Sequence, residues 1–372
     1  MNAHQRPLAS INVHLRPSSY LKGIKMSSPQ ITIGNKIIGE NNPVFTIAEA
    51  GVNHNGSLEI AKQMIAVAKD AGCDAIKFQS FTTKNLLSNA VSNDVFGMLQ
   101  GLELSRKSHI ILSEYAHKLD IIFLSTPFDE ENADMLERLG MPAFKIPSGE
   151  LTNHPLLEHI ARKKKPILLS CGMANMEEIT EAVEIIRREN PQLILLQCTT
   201  SYPCPFEEAN LMVIQSLCHA FGLLVGYSDH TLGTTAAIVA ITLGARVIEK
   251  HFTLDTTLPG PDHKASVEPA QLKELVQRIR ETEQCLGQAI KVITPSEITA
   301  RQQVRKGITA KRAIAQGEII TSEMICMKRP AIGILPAQID LIIGKKARVD
   351  IAEDEPIVWG ENGDSARENG EN

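Results

Sequence analysis

The sequence has no stretch near the roughly 20 apolar residues that span a bilayer, no CxxC pair among its seven cysteines and no HExxH. The first absence argues against an integral membrane protein. The others argue against a disulfide framework, a zinc knuckle or a tight structural zinc site. Cys73, Cys171, Cys198, Cys204, Cys218, Cys285 and Cys326 are scattered, as in a reducing compartment, and read as small apolar filler; the expected location is cytoplasmic. A basic surplus is missing too: the net charge is -5. This excludes a broadly cationic nucleic-acid surface, so an anionic substrate would need local cations. Acidic residues are absent from the first 39 positions, which hold Arg6, Arg16, Lys22 and Lys25. That bias resembles a transit peptide, but no sustained apolar core for secretion accompanies it and Met26 is an alternative start. Residues 1–30 read as a disordered extension and 363–372 as a loose polar tail.

What is there is an ordinary globular composition, 372 residues with 43% hydrophobic and 22% charged, enough for one large domain and a smaller one. Short β-rich runs alternate with longer helical patterns. The strand candidates are Phe45–Ala48, Ala75–Gln79, Ile121–Ser125, Ala143–Ile146, Pro166–Ser170, Leu193–Cys198, Leu223–Tyr227 and Arg246–Lys250. Most are apolar on both faces, as when helices cover a parallel sheet. Eight such units predict a (β/α)8 TIM barrel over 31–290. A doubly wound open sheet would carry a Gly-rich fingerprint after its first strand, and none is present. The long stretch 81–105 reads as an active-site loop insertion. After a linker at 291–302, residues 303–362 form short β-like runs broken by Gly, Pro and charge, a small mostly-β module.

A barrel carries its chemistry where the strands end. The eight ends hold Glu49; Lys77 and Gln79; Ser125-Thr126; Lys145 with Ser148 and Glu150; Ser170; Thr199-Thr200-Ser201-Tyr202; Ser228-Asp229-His230; and Glu249-Lys250-His251. Two lysines inside apolar strands are costly unless they meet anions. Lys77 and Lys145, with the hydroxyls of Ser148, Ser170 and Ser228, could hold a phosphate and a carboxylate, with glycine backbone N–H groups beside them. The plainer alternative is that each lysine neutralises a buried carboxylate such as Glu49 or Glu150. His230 and His251 end neighbouring strands and could share a divalent cation whose other ligands are water and substrate oxygen. Glu49 is an acid/base candidate, Glu150 an acid/base or helix-capping one, and Asp229 reads as a residue that orients His230. The Pro- and Gly-rich loop Leu258–Lys264 should lie over the rim, with Asp262 placed to meet sugar hydroxyls.

Taken in order, IAEAGVNHNG at Ile47–Gly56, STPF at Ser125–Phe128, KIPSGE at Lys145–Glu150, GYSDHT at Gly226–Thr231, EKHF at Glu249–Phe252 and PGPD at Pro259–Asp262 resemble the sialic acid synthases, with their legionaminic and pseudaminic relatives. The resemblance covers nearly the whole chain beyond the first 30 residues. It implies that the C-terminal module is an antifreeze-like (SAF, β-clip) domain covering the partner subunit's active site in a domain-swapped homodimer. Its Lys328-Arg329-Pro330 stretch implies that Arg329 reaches the amino-sugar. It also implies that Lys77, Lys145, Ser148, Ser170 and Ser228 bind phosphoenolpyruvate, that His230 and His251 bind Mn2+ (Mg2+ or Co2+ as alternatives), and that Glu49 is catalytic together with the two lysines. Gln79, Glu150, Tyr202, Asp262 and Arg329 would line the sugar pocket. Thr200 stands where an Asn often sits, yet its hydroxyl can still donate to phosphate.

The implied activity is N-acetylneuraminate synthesis: phosphoenolpyruvate, N-acetylmannosamine and water give a nine-carbon sugar acid and phosphate by C–O cleavage. The competing substrate is a 2,4-diacetamido-2,4,6-trideoxy-mannose, giving N,N'-diacetyllegionaminic acid. The PSGE and PGPD loops fit the pseudaminic branch less well. A Schiff-base aldolase using Lys145 and a non-catalytic sugar-binding relative are the remaining alternatives. No nucleic acid or membrane partner is expected.

Overall fold

The computed structural model describes residues 29–360. They fall into two compact units, the first ending at Gly287 and the second beginning at Gln288. The expected terminal extension and tail lie outside the described residues, except that Gln30, assigned above to the extension, already begins a strand.

The first unit opens with a hairpin not anticipated above, β1 (Gln30–Ile33) antiparallel to β2 (Lys36–Gly39). Its turn is made by Gly34 at φ +59. Ile31, Ile33 and Ile38 turn inward and join the main core. Eight parallel strands follow: β3 (Phe45–Gly51), β4 (Ala75–Ser80), β5 (Ile122–Pro127), β6 (Phe144–Ile146), β7 (Ile167–Ser170), β8 (Leu193–Cys198), β9 (Leu224–Asp229) and β10 (Val247–His251). Their ladder runs β5-β4-β3-β10-β9-β8-β7-β6, and β5 lies against β6 to bring the ring round. Ladder bonds are missing at that last seam, and there the Ser125 N–H donates instead to the Met141 sulfur at 3.1 Å. This is the nearly closed TIM-type barrel that eight βα units predict.

The strands form because helices bury them from outside while side chains fill them from within, so every residue of β3 and β8 is buried. The helices are bounded by local chemistry. Leu58–Asp70 starts where the Ser57 hydroxyl accepts from Ile60 N, and it buries Ala61, Met64, Ile65 and Ala68 along one stripe. Met176–Glu189 starts with a reciprocal Asn175/Glu178 capping box. The 81–105 insertion carries short helices at Thr83–Leu86 and Asn93–Gly101. Its root is fixed by Phe81, packed edge-on against Phe128 at 6.0 Å and clustered with Val52 and Leu102.

In the second unit a helix (Glu297–Val304) precedes β11 (Gly307–Ala310), which pairs antiparallel with β12 (Ile325–Lys328). The β-like runs at 317–320, 346–349 and 356–358 pair only through the single bridges Ile319 to Lys346 and Thr309 to Pro356. The core is almost entirely isoleucine, with Ile308, Ile314, Ile320, Ile325, Ile334, Ile342 and Ile357 around Ala310 and Ala347. No helix among the described residues is long and apolar enough to cross a membrane.

Gly226 in β9 leaves no room for a side chain: a Cβ would stand 2.6 Å from Leu196 Cδ2 and from the Val247 carbonyl. Gly226→Ala is therefore expected to cost about 1–3 kcal/mol through overpacking of three strands. Chemical denaturation would show this as a lowered midpoint, and an unchanged midpoint would refute the tight seam.

Candidate active site

Parallel strands point successive side chains to opposite faces. Glu49, Lys77, Lys145 and Glu249 all project to the barrel's inner face near its carboxyl ends, and each is 4% exposed or less. They form one chain of alternating charge. Lys77 Nζ lies 2.8 Å from Glu49 Oε2 and 3.8 Å from Glu249 Oε2, and Lys145 Nζ lies 3.2 Å from Glu249 Oε1. Lys77 also donates to Thr126 Oγ1 at 2.9 Å. The Ser228 hydroxyl donates to Glu249 Oε1 at 2.9 Å, and Gln79 Nε2 donates to Glu49 Oε1 at 3.3 Å. So the lysines do neutralise buried carboxylates, but the partner of Lys145 is Glu249. Glu150 pairs with neither lysine among the described residues. Its carboxylate accepts from Asn153 Nδ2 at 2.7 Å, and Asn153 caps the helix His154–Ala161.

The two carboxylates are driven apart. Burial pushes Glu49 up to about 7, with Lys77 opposing and Glu249 adding to the rise. Burial also works to raise Glu249, but Lys145, Lys77 and the Ser228 hydroxyl outweigh it and hold that carboxyl below the usual range. Burial would lower Lys77, yet Glu249 and Glu49 keep its pKa above the ordinary lysine value. The result is one glutamate that is firmly ionised and one that exchanges a proton near neutrality.

His251 ends β10 and His230 follows β9, with ring centroids 5.4 Å apart. The His230 Nδ1–H donates to the Thr199 carbonyl at 2.7 Å, which leaves the Nε2 lone pair available. His251 Nδ1 is buried with no hydrogen-bond partner among the described residues. Burial holds His230 near 4 and His251 near 3, so both rings are neutral. Two neutral imidazoles with open nitrogens fit a divalent cation. Among the described residues no group of three or more His, Cys, Asp or Glu could hold a metal, so the remaining ligands would be water or substrate oxygen, as for a site that polarises its substrate. Tyr202 lies over His230 at 4.1 Å and edge-on to His251 at 5.6 Å.

Gly51, at φ +52, lets the surrounding groups close in. A Cβ there would come within 3.3–3.4 Å of Asp262 Oδ2, Glu49 Oε1 and His251 Cε1, which places Asp262 at the same mouth as the charged chain and the imidazoles. A second cradle forms at Gly172, whose N–H donates to Ser148 Oγ at 3.0 Å. A Cβ there would meet Thr200 Oγ1 at 2.4 Å and Ser148 Oγ at 2.7 Å. Ser170 Oγ is buried without a partner among the described residues. The Ser148 and Thr200 hydroxyls thus meet at Gly172, and hydroxyl donors of this kind suit an anion. Arg329 lies in the second unit, exposed, just after β12.

Several functional residues were missed in the sequence. Glu249 was seen as a polar strand end but given no role, though it shares a face with His251 two residues on. Asn53 Nδ2 donates to the Phe252 carbonyl and to Ser266 Oγ, both at 2.9 Å. His263 is fully buried and joins Thr253 Oγ1 at 2.7 Å and Asn55 Oδ1 at 3.2 Å. The asparagines of the NHNG segment therefore clamp the loop that carries Asp262. The Asp229 carboxylate accepts from Thr231 and Lys250 and not from the His230 ring. The buried cysteines are filler as expected, and burial pushes Cys73 and Cys171 up to about 12, out of nucleophilic range.

A barrel whose strand ends converge on buried lysines, carboxylates and paired imidazoles belongs to the enzymes that use this rim for chemistry. The NeuB family model matches residues 64–291 and the SAF domain model matches 305–361. The chain is 48% identical over 328 residues to the N,N'-diacetyllegionaminic acid synthase of Campylobacter jejuni, covering 84% of this chain and 98% of that protein. It is 37% identical over 335 residues to human N-acetylneuraminate-9-phosphate synthase, covering 86% and 93%. The crystal structure of the N-acetylneuraminic acid (sialic acid) synthetase from Leptospira borgpetersenii superposes with a TM-score of 0.70 at 39% identity, over 73% of this chain and 95% of that one. The chain is an enzyme of the NeuB family.

Burial holds His54 near 4, and His230 and His251 are depressed as well. Their unfolded value is about 6.5, so the unfolded chain binds more protons below that pH. The stability these rings contribute is complete above pH 6.5 and is lost as pH falls toward 4. Glu49 acts in the opposite sense, its contribution fading as pH rises through about 7. Thermal unfolding midpoints should drop on acidification from pH 6.5 to 4.5, and His54→Gln should flatten that slope. An equal slope in the variant would contradict this.

Proposed function

We propose that this enzyme condenses phosphoenolpyruvate with an acylated, open-chain amino-hexose to give a nine-carbon sugar acid and phosphate. The observation that carries the reading is the common mouth, where two buried lysines, a glutamate titrating near neutrality and two facing imidazoles lie within side-chain reach of one another. Lys145, Ser148, Ser170 and Thr200 hold the phosphate and Lys77 the carboxylate, with Ser228 fixing Glu249 beside them. Gln79, Glu150, Tyr202 and Asp262 line the sugar side. His230 and His251 would hold a divalent ion, Mn2+ by expectation, which would supply Lewis acidity to the sugar aldehyde.

Carbon three of phosphoenolpyruvate forms the new C–C bond to the aldehyde carbon as the C=O π bond opens to an alkoxide. Water adds at carbon two and gives one proton to Glu49, the equivalent of which ends on the alkoxide as the new hydroxyl. The bond from carbon two to the phosphate oxygen breaks, and the added oxygen closes to the keto group as its remaining proton leaves on the phosphate. Glu49 suits that role because a base works best with a pKa near the operating pH. The lysines balance charge that shifts toward the departing phosphate, and a preorganised contact of this kind is worth about 3 kcal/mol.

The sequence put N-acetylmannosamine first. The identity of 48% to a legionaminic acid synthase against 37% to an N-acetylneuraminate-9-phosphate synthase favours the 2,4-diacetamido-2,4,6-trideoxy sugar, and we place it first. With phosphoenolpyruvate carrying 18O at its bridging position, the label should appear in released phosphate, faster with the diacetamido sugar than with N-acetylmannosamine. Glu49→Gln should lower kcat by about 10²–10⁴-fold. Label retained in the sugar acid, or no phosphate release with either sugar, would overturn the reading.

The reading extends to a domain-swapped homodimer in which Arg329 of one chain completes the sugar pocket of the other. The SAF-domain match over 305–361 supports it. Glu49→Gln and Arg329→Ala chains, each inactive alone, should then regain about a quarter of wild-type activity when unfolded together and refolded, because half the dimers are mixed and each mixed dimer has one intact site. No recovery would place both residues in the site of a single chain.

A further inference from the structure

A further buried ion pair flanks the two imidazoles in sequence. Lys250 and Asp229 are 1% and 0% exposed and stand opposite each other in the β9–β10 register. Each directly precedes one of the histidines. Asp229 Oδ1 accepts from both the backbone N–H and the hydroxyl of Thr231 at 2.8 Å, and Oδ2 accepts from Lys250 Nζ at 2.9 Å. Lys250 Nζ also donates to the Thr231 carbonyl. His230 is therefore the middle residue of a three-residue loop whose two flanking residues are both fastened to Lys250, the neighbour of His251.

An ion pair this deep is a poor way to gain stability, since well-packed apolar residues do as well or better. What it adds is direction: two hydrogen bonds close the His230 loop on itself, and two from Lys250 Nζ fasten that loop to the His251 strand. Imidazole ligands depend on partners behind them for their orientation. Here the ring of His230 is oriented by the Thr199 carbonyl, its own carbonyl accepts from the Cys204 N–H at 2.8 Å, and the residues on either side of it are held by Lys250.

We infer that Lys250 and Asp229 are positioning residues that set the spacing between His230 and His251 and thereby the cation affinity of the mouth. The inference rests on the proposed cation site and adds residues that reach neither cation nor substrate. Removing one charge alone would strand the other, so the informative variant is the double one, Asp229→Leu with Lys250→Met. Its Mn2+ affinity, read from the electron paramagnetic resonance signal of the free ion, should fall about 10–100-fold while its circular dichroism stays that of the wild type. Thr231→Val, which keeps both charges and removes one hydroxyl donor, should show a smaller loss and serves if the double variant does not fold. As a control for stability alone, Lys163→Met breaks the remote Lys163–Asp134 and Lys163–Glu137 pairs and should lower the melting temperature with Mn2+ affinity unchanged. A folded double variant, or Thr231→Val in its place, with wild-type affinity would overturn the inference alone. A wild-type chain that takes up no Mn2+ would overturn the cation site and the inference with it.

Discussion

Four charges buried in a row, Glu49, Lys77, Glu249 and Lys145, govern what the barrel mouth can do. Each ion withdrawn from water costs several kcal/mol unless it is paired, so two lysines can be kept under a protein surface only with two carboxylates beside them. The formal charges cancel, which lets the mouth fold before any substrate arrives. They do not cancel evenly: Glu249 has two lysines and stays ionised, while Glu49 has one and is poised near pH 7. In the proposed reaction an entering polyanion competes with the carboxylates for the lysines, and Glu49, partly ionised near neutrality, is the carboxylate able to take up the proton that water gives up as it adds.

The fold serves this arrangement by fixing strand ends that are far apart in sequence. Glu49, Lys77, Lys145 and Glu249 come from β3, β4, β6 and β10, and their distances are set by the register of a ring with helices on its outside. Loops finish the site: Asn53 and Asn55 reach from the loop after β3 to the loop after β10, and Gly51 and Gly172 lie where a methyl group would fill space needed by reacting or binding groups.

Much of this was legible in the sequence. The eight apolar runs gave the barrel because each is buried on both faces and closes on a polar residue. The chemistry of those closing residues pointed to an anion and a cation sharing one rim. Glu249 escaped because an acidic residue beside Lys250 suggests a local pair, yet the two-residue period of a strand puts Glu249 and His251 on one face and Lys250 on the other. The Asp229 carboxylate misses the His230 ring for the same reason: side chains adjacent in sequence at a strand end point to opposite faces. The β1–β2 hairpin was missed although ITIGNKIIG has the alternation and the glycine turn of one. The role of Asn53, Asn55 and His263 had no sequence signal, since a clamp between loops some 200 residues apart exists only once the barrel brings its first and last strands together.

The account stands on the lysine–glutamate chain and the imidazole pair facing a single volume. A crystal structure of the protein with Mn2+ and phosphoenolpyruvate, with the metal located by its anomalous scattering, tests that directly. The account predicts one strong peak within coordination distance of both His230 and His251, with the phosphoenolpyruvate anion touching Lys77 and Lys145 in the same cavity. A peak remote from either imidazole, or an anion bound away from the two lysines, would contradict it.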